Sequence, residues 1–301
     1  LEEAFKPSGF LSGLVDDDDD DSGPGIFGFL DFVPGNITPD VRYNQVDQLF
    51  AGLQYSIDAT DWLELRAEGG YSTGYEECNY GGGLSLNRLD SKYIESSIGS
   101  NYAAETTTRY TSHIYNPYYT IIPNLLGNSG YFDYYRSEGF RAFSSIEHPE
   151  SDLSLTAGFS SKIHHSLPTT TAYDLVGKKN NYRANPAINE GTMQTIDLVA
   201  GYNINEGYNF GITEQNYIRF EIEHSSDALG SDFNFTRYET RLSWSFPTFY
   251  QRRLLPNTLD INLKAGTYSG NLPIQKLGII DVSLGKSSPY GVMKAARGRP
   301  Y

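Results

Sequence analysis

The best offer of acid–base chemistry in the sequence is a pair of carboxylates on one strand face. Glu221 and Glu223 are two residues apart in an alternating stretch, so they project to the same side, as a general acid and base must. Arg219 shares that side, and the three read as part of a charge ladder. Gly23-Pro24-Gly25-Ile26-Phe27-Gly28 has the spacing of a dinucleotide-binding turn, yet it follows no strand and opens no helix. Six aspartates, Asp16 to Asp21, precede it and would repel a pyrophosphate. That run has carboxylates for Ca²⁺, which takes about six to eight oxygens, but lacks the glycine-spaced geometry of a calcium loop. It reads as a solvated tether. His164 and His165 are adjacent and on a strand point to opposite faces, so they cannot share a metal. His113, His148 and His224 have no ligand-like spacing, and no G-x-S-x-G elbow, H-E-x-x-H or Walker loop occurs. The expectation is a protein that is not an enzyme, with no catalytic residue, cofactor or metal site.

Composition narrows the alternatives. The 301 residues carry a net charge of -14, which repels phosphate backbones and excludes nucleic acid as a partner. Cys78 is alone, so neither an internal disulfide nor a cysteine zinc cluster can form. Nowhere do about 18 apolar residues run together, which excludes a transmembrane helix. A membrane β-barrel stays open, because its strands need only alternate and alternation keeps mean hydropathy low, here -0.45. Aromatics reach 14%, with 24 Tyr. The chain opens without a Met, a basic segment or an apolar segment, and reads as mature, processed or a fragment.

The elements that would position these side chains are strands. Residues 1–40 form an extended acidic and Gly/Pro-rich lead-in. From Val46 onward the period is two: Leu49, Ala51, Leu53, Tyr55 and Ile57, then Leu63, Leu65, Ala67, Gly69 and Tyr71. Similar runs are Leu153–Phe159, Ile196–Tyr202, Ile218–Ile222, Leu242–Phe246 and Leu259–Ala265, with weaker ones at Leu84–Leu86, Phe140–Ala142 and Ile280–Leu284. The pattern predicts an all-β chain whose residues 41–301 make an antiparallel transmembrane β-barrel, incomplete here, with about ten to twelve strands. Two long polar connections, 89–131 and 165–192, contrast with the tight turn at His148-Pro149-Glu150-Ser151. Further strands are expected inside the first of them, around Lys92–Ile98 and Ser112–Thr120.

Alternation by itself does not say whether the apolar face meets lipid or a second sheet. The polar faces are dense in both signs of charge: Glu64, Arg66, Glu68, Arg219, Glu221, Glu223, Glu239 and Arg241 form the expected ladder along a hydrated lumen. Aromatics close the runs at Trp62, Tyr71, Tyr202 and Tyr268, where interfacial girdles would lie. Three readings stay open: a translocating barrel, a porin-like or structural barrel, and a soluble secreted β-domain binding glycans or proteins through tyrosine-rich loops.

Several stretches resemble the barrel of the bacterial surface antigen superfamily, which includes outer-membrane protein insertases and two-partner secretion transporters. Val41-Arg42-Tyr43-Asn44-Gln45-Val46-Asp47-Gln48-Leu49 is similar to the opening strand of several branches. Asn185-Pro186-Ala187-Ile188-Asn189-Glu190-Gly191, Asp133-Tyr134-Tyr135-Arg136, Gly270-Asn271-Leu272-Pro273 and Ala296-Arg297-Gly298-Arg299-Pro300-Tyr301 add to the likeness over 41–301. The resemblance implies an outer-membrane location and a barrel that guides unfolded outer-membrane or secreted polypeptides, with lipid and accessory lipoproteins as partners. It implies a seam strand opening at Asn44, Val46, Leu49 and Leu53. It also implies a loop folded into the lumen with Arg297 and Gly298 at its tip, where Glu64, Glu68, Glu221, Glu223 and Glu239 would offer carboxylates to the guanidinium. Ala296 and Arg299 depart from the apolar and aromatic neighbours of the family's Arg-Gly.

Overall fold

Residues that alternate in polarity gain most from an extended backbone whose N–H and C=O groups are paired on both sides, and consecutive strands supply those partners. A computed structural model describes residues 35–90, 94–109, 121–125, 132–148, 150–171, 184–205, 216–247, 258–283 and 295–300. Eleven strands follow one another: β1 (Asn36–Asn44), β2 (Gln48–Thr60), β3 (Leu63–Ser72), β4 (Glu77–Asp90), β5 (Glu95–Thr108), β6 (Tyr134–His148), β7 (Leu153–Ser166), β8 (Gly191–Asn205), β9 (Asn216–Ser225), β10 (Phe235–Pro247) and β11 (Thr258–Gly270). Each pairs antiparallel with its sequence neighbours, so the spatial order is β1 to β11. β1 and β11 do not pair with each other, and the sheet is open. The chain is all-β, with a single sheet of the kind that walls a partial barrel. The short α1 (Ile121–Leu125) and a hairpin of β12 (Ile279–Ser283) and β13 (Ala295–Pro300) lie outside the sheet.

Two boundaries differ from the sequence expectation. The lead-in ends earlier, because β1 takes in residues 36–40 and pairs Pro39 with Leu53. A proline cannot donate to a ladder, and it is tolerated here because β1 is an edge whose other side needs no donor. The expected seam strand is split as well. Asn44 closes β1, Val46 lies in a turn, and Leu49 and Leu53 belong to β2, the second strand from the edge.

That turn is the best-buried part of the molecule. Val46, Gln45 and Asp47 are fully enclosed. The Asn44 carboxamide oxygen accepts from the backbone N–H groups of Val46 and Asp47, both at 2.8 Å, which bends the chain by a side-chain turn. Asp47 then accepts from Asn44 Nδ2 at 2.6 Å, Ser72 Oγ at 3.0 Å and Thr106 Oγ1 at 2.8 Å. Thr170 and Thr171 donate backbone N–H groups to the Gln45 carbonyl. Asn185 ties Tyr134 to Leu167 through its Nδ2, and Val46, Phe132, Tyr134 and Leu167 form the apolar centre. Only glycine fits at position 74, because a Cβ there would collide with the Val46 carbonyl.

The knot joins one rim of the sheet. The connections 45–47, 73–76, 109–133, 167–190 and 226–234 leave from this upper rim, and 61–62, 91–94, 149–152, 206–215 and 248–257 from the lower. The two longest connections within the sheet are therefore on the same side. Of the strands expected inside 89–131, one is β5; residues 112–120 lie outside the described residues.

Candidate functional site

Register decides which side chains share a face, since residues directly opposite in a ladder project together. Leu65 faces Leu84, Leu86 faces Ile98, and Ile146 faces Leu155. Leu198 faces Ile222, Ile218 faces Leu242, and Trp244 faces Ile261. These pairs line up into one apolar face from β2 to β11, and it is uncovered: Leu263 is 59% exposed and Leu155 46%. Ten strands at about 4.8 Å make it on the order of 40 Å wide, far beyond the usual apolar patch of a soluble monomer. Tyr71, Tyr80, Tyr102 and Tyr238 sit toward its upper margin, and Trp62, Tyr202 and Trp244 toward its lower one; all are exposed. The Tyr102 hydroxyl donates to Glu138 at 2.8 Å, where the face turns polar.

The opposite face carries the charges. Arg237 is gripped by three carboxylates: Glu221 at 2.6 Å, Glu223 at 3.1 Å and Glu239 at 3.4 Å. Glu239 also holds Arg241 and Lys264, and Arg141 reaches Asp197 at 2.6 Å. At the other end of the sheet Arg66 pairs with Glu64 at 2.6 Å, and Arg42 stacks on Phe50 with its guanidinium 4.1 Å from the ring centre. The carboxylate pairs Asp197–Glu223 and Glu221–Glu239 would repel across the ladder, and the interleaved Arg141, Arg237 and Lys264 offset them; opposite Arg219, Arg241 is held by Glu239.

Beyond β11 the chain folds back onto this inner face. The 3₁₀ turn Ile274–Lys276 buries Gln275, whose amide nitrogen donates to the Asn189 carbonyl at 2.8 Å and reaches His164 Nδ1 at 3.3 Å. Arg109 Nε donates to the Ile274 carbonyl at 2.9 Å. Lys276 ends on Glu223 with Nζ 2.5 Å from Oε1. Burial opposes the charge on Lys276, but the Glu223 carboxylate outweighs it and raises the ammonium pKa above the ordinary 10.5. On the upper rim Glu190 accepts from the Ser166 backbone N–H, which lowers its carboxyl pKa.

Comparison with known proteins gave no match. No family model, no curated protein and no solved structure is similar to this chain.

All eight ladder residues project to the inner face by register. Arg237 and Lys276 join them on that face. Arg237 alternates in step with Glu239 and Arg241, so its place was readable; Lys276 lies outside any strand, where periodicity carries no signal. The two signs of charge are spread unevenly along the wall. Asp40, Glu64, Glu68 and Glu105 outweigh Arg42 and Arg66 on β1–β5, whereas on β6–β11 cations and carboxylates are close to balanced. Arg297 lies on β13 opposite Asp281, with Gly298 beside it; their side chains lie outside the described residues. Among the described residues no His, Cys, Asp and Glu cluster could hold a metal.

Lys276→Gln tests how the folded-back segment is held. Glu223 keeps Arg237, so the expected cost is about 1–2 kcal/mol, read as faster hydrogen exchange in residues 271–278 with the strands still protected. The raised ammonium pKa gives the pH dependence its sign. The contact is fully present below the ordinary lysine value of 10.5 and is lost as pH climbs through the higher folded value, so docking should be flat through neutral pH.

Proposed function

We propose that this chain is the wall of an outer-membrane β-barrel of the polypeptide-insertion and secretion-pore type. It would guide unfolded chains along its charged inner face while its apolar face meets lipid. The observation that carries the reading is the uncovered apolar face bounded by tyrosines above and by two tryptophans and Tyr202 below, which is how lipid-facing strands end at both interfaces. In outer-membrane barrels the longer loops are extracellular and the turns periplasmic. The upper rim would then face outward and the lead-in, which enters at the lower end of β1, the periplasm. Among the described residues β1 and β11 end the ladder, and the outer edge of either could receive an additional strand by ladder pairing.

Depletion in the native cell tests the function. The expected result is loss of other outer-membrane β-proteins or of a secreted passenger, with small-solute uptake unchanged. Impaired solute uptake with a normal outer-membrane protein profile would instead assign a porin-like role, and the ion ladder is the feature that favours it. Arg297→Lys probes the resemblance. A guanidinium grips a carboxylate with two hydrogen bonds that an ammonium cannot reproduce, so assembly or transport should fall although the charge is kept. Activity equal to wild type in Arg297→Lys and Arg299→Lys alike would remove that role.

A further inference from the structure

We propose that the inner wall at β6–β9 contains a binding site for a small oxyanion group, a carboxylate or a phosphate, with Lys162 and Arg219 as its principal ligands. A cavity of about 190 Å³ lies between that wall and the folded-back Lys276. It is open to the interior and large enough for a phosphate with a few waters. Three carboxylates line it, and each already has a cation: Asp197 has Arg141, Glu221 has Arg237, and Glu223 has Lys276 and Arg237. Lys162 and Arg219 line the same cavity and make no ion pair among the described residues. Two positive charges are thus left without an ion-pair partner in a concavity, with Glu105 the carboxylate that acts on Lys162 from farther off, and a counterion seated between them gains from both.

The neutral lining fits the same guest. Thr107, Ser137, Ser160 and Thr195 present hydroxyls. Ser160 and Thr195 are bonded to each other at 2.7 Å; one hydroxyl donates in that pair, so the other keeps its hydrogen for a guest oxygen. Arg219 brings a planar fork that can take two oxygens of one group, and Lys162 a point charge beside it. Beside the cavity, Arg241 and Lys264 share a single carboxylate, Glu239. A carboxylate-bearing peptide and a free phosphate would satisfy the site through the same chemistry. The site stands apart from the membrane reading, since it depends only on the inner face.

The test is calorimetric titration of the full chain, folded in detergent, with inorganic phosphate and separately with acetate. One saturable event is expected with at least one of them, and the anion that saturates sets the ligand class. Losing a charge-assisted contact should weaken binding about tenfold or more in Lys162→Gln and in Arg219→Gln. Lys162→Arg keeps the cation and should retain binding, so the proposal does not hang on one variant's folding. Arg66→Gln, on the opposite end of the sheet, should bind as wild type. No saturable heat with either anion overturns the proposal, and so does an equal loss in Arg66→Gln, which would mean a diffuse field instead of a site.

Discussion

Lysine at Leu198, Leu65 or Ile261 should cost the folded protein about 2–4 kcal/mol per site in a bilayer, enough to abolish heat-modifiable folding in detergent. All three sit on the uncovered face: Leu198 opposite Ile222, Leu65 opposite Leu84 and Ile261 opposite Trp244. The control is lysine on the inner face at Thr156 or Asn101, which should cost less than about 1 kcal/mol because that face is hydrated. Asp197 looks interchangeable with these controls on pattern alone, but it is not neutral. It is buried against Arg141 at 2.6 Å, and a lysine there would replace an ion pair with two like charges. Urea unfolding in lipid vesicles gives the energies directly. Equal tolerance on both faces would contradict the lipid-facing assignment.

Asp47→Ala is expected to destabilise by about 3–5 kcal/mol, because several buried donors lose the acceptor they share. The Asn44 amide, the Ser72 hydroxyl and the Thr106 hydroxyl would lose their common acceptor. Each orphaned buried donor costs about 1–3 kcal/mol. Since the knot joins four of the five connections of the upper rim, protease cleavage within 109–133 and 167–190 should accelerate while the lower-rim turn at 61–62 stays resistant. Asp47→Asn keeps an acceptor and should lie between wild type and alanine. A midpoint unchanged in Asp47→Ala would show that the rim is held by something else.

Strong alternation made β2, β3 and β7–β11 readable, because leucine, isoleucine and aromatic residues mark every second position there. β5 was only partly readable: its outward side chains Ser100 and Ala104 are too small to stand out, and it ends in threonines that serve the rim. The opening stretch misled for a physical reason. Val46 is apolar and lies just before the alternating run, yet it is buried in a turn that the Asn44 carboxamide makes; its three-residue offset from Leu49 and an Asn three residues before an Asp are the signals that could have shown it. The inner ladder was legible as a face but not as a balance of charge. Which carboxylate each arginine takes depends on the register between strands far apart in sequence, and the contribution of Lys276 depends on a fold-back that has no period at all.

The central claim is that neighbouring residues on one strand meet lipid and water in turn. Tryptophan placed at Leu198 or at Val199, with Trp62 and Trp244 changed to Phe, reports this in vesicles. The account requires the 198 probe to be quenched by lipids brominated in the acyl chain and spared by aqueous iodide, and the 199 probe to behave the opposite way. Equal iodide quenching at both positions, with no effect of brominated lipid, would contradict it.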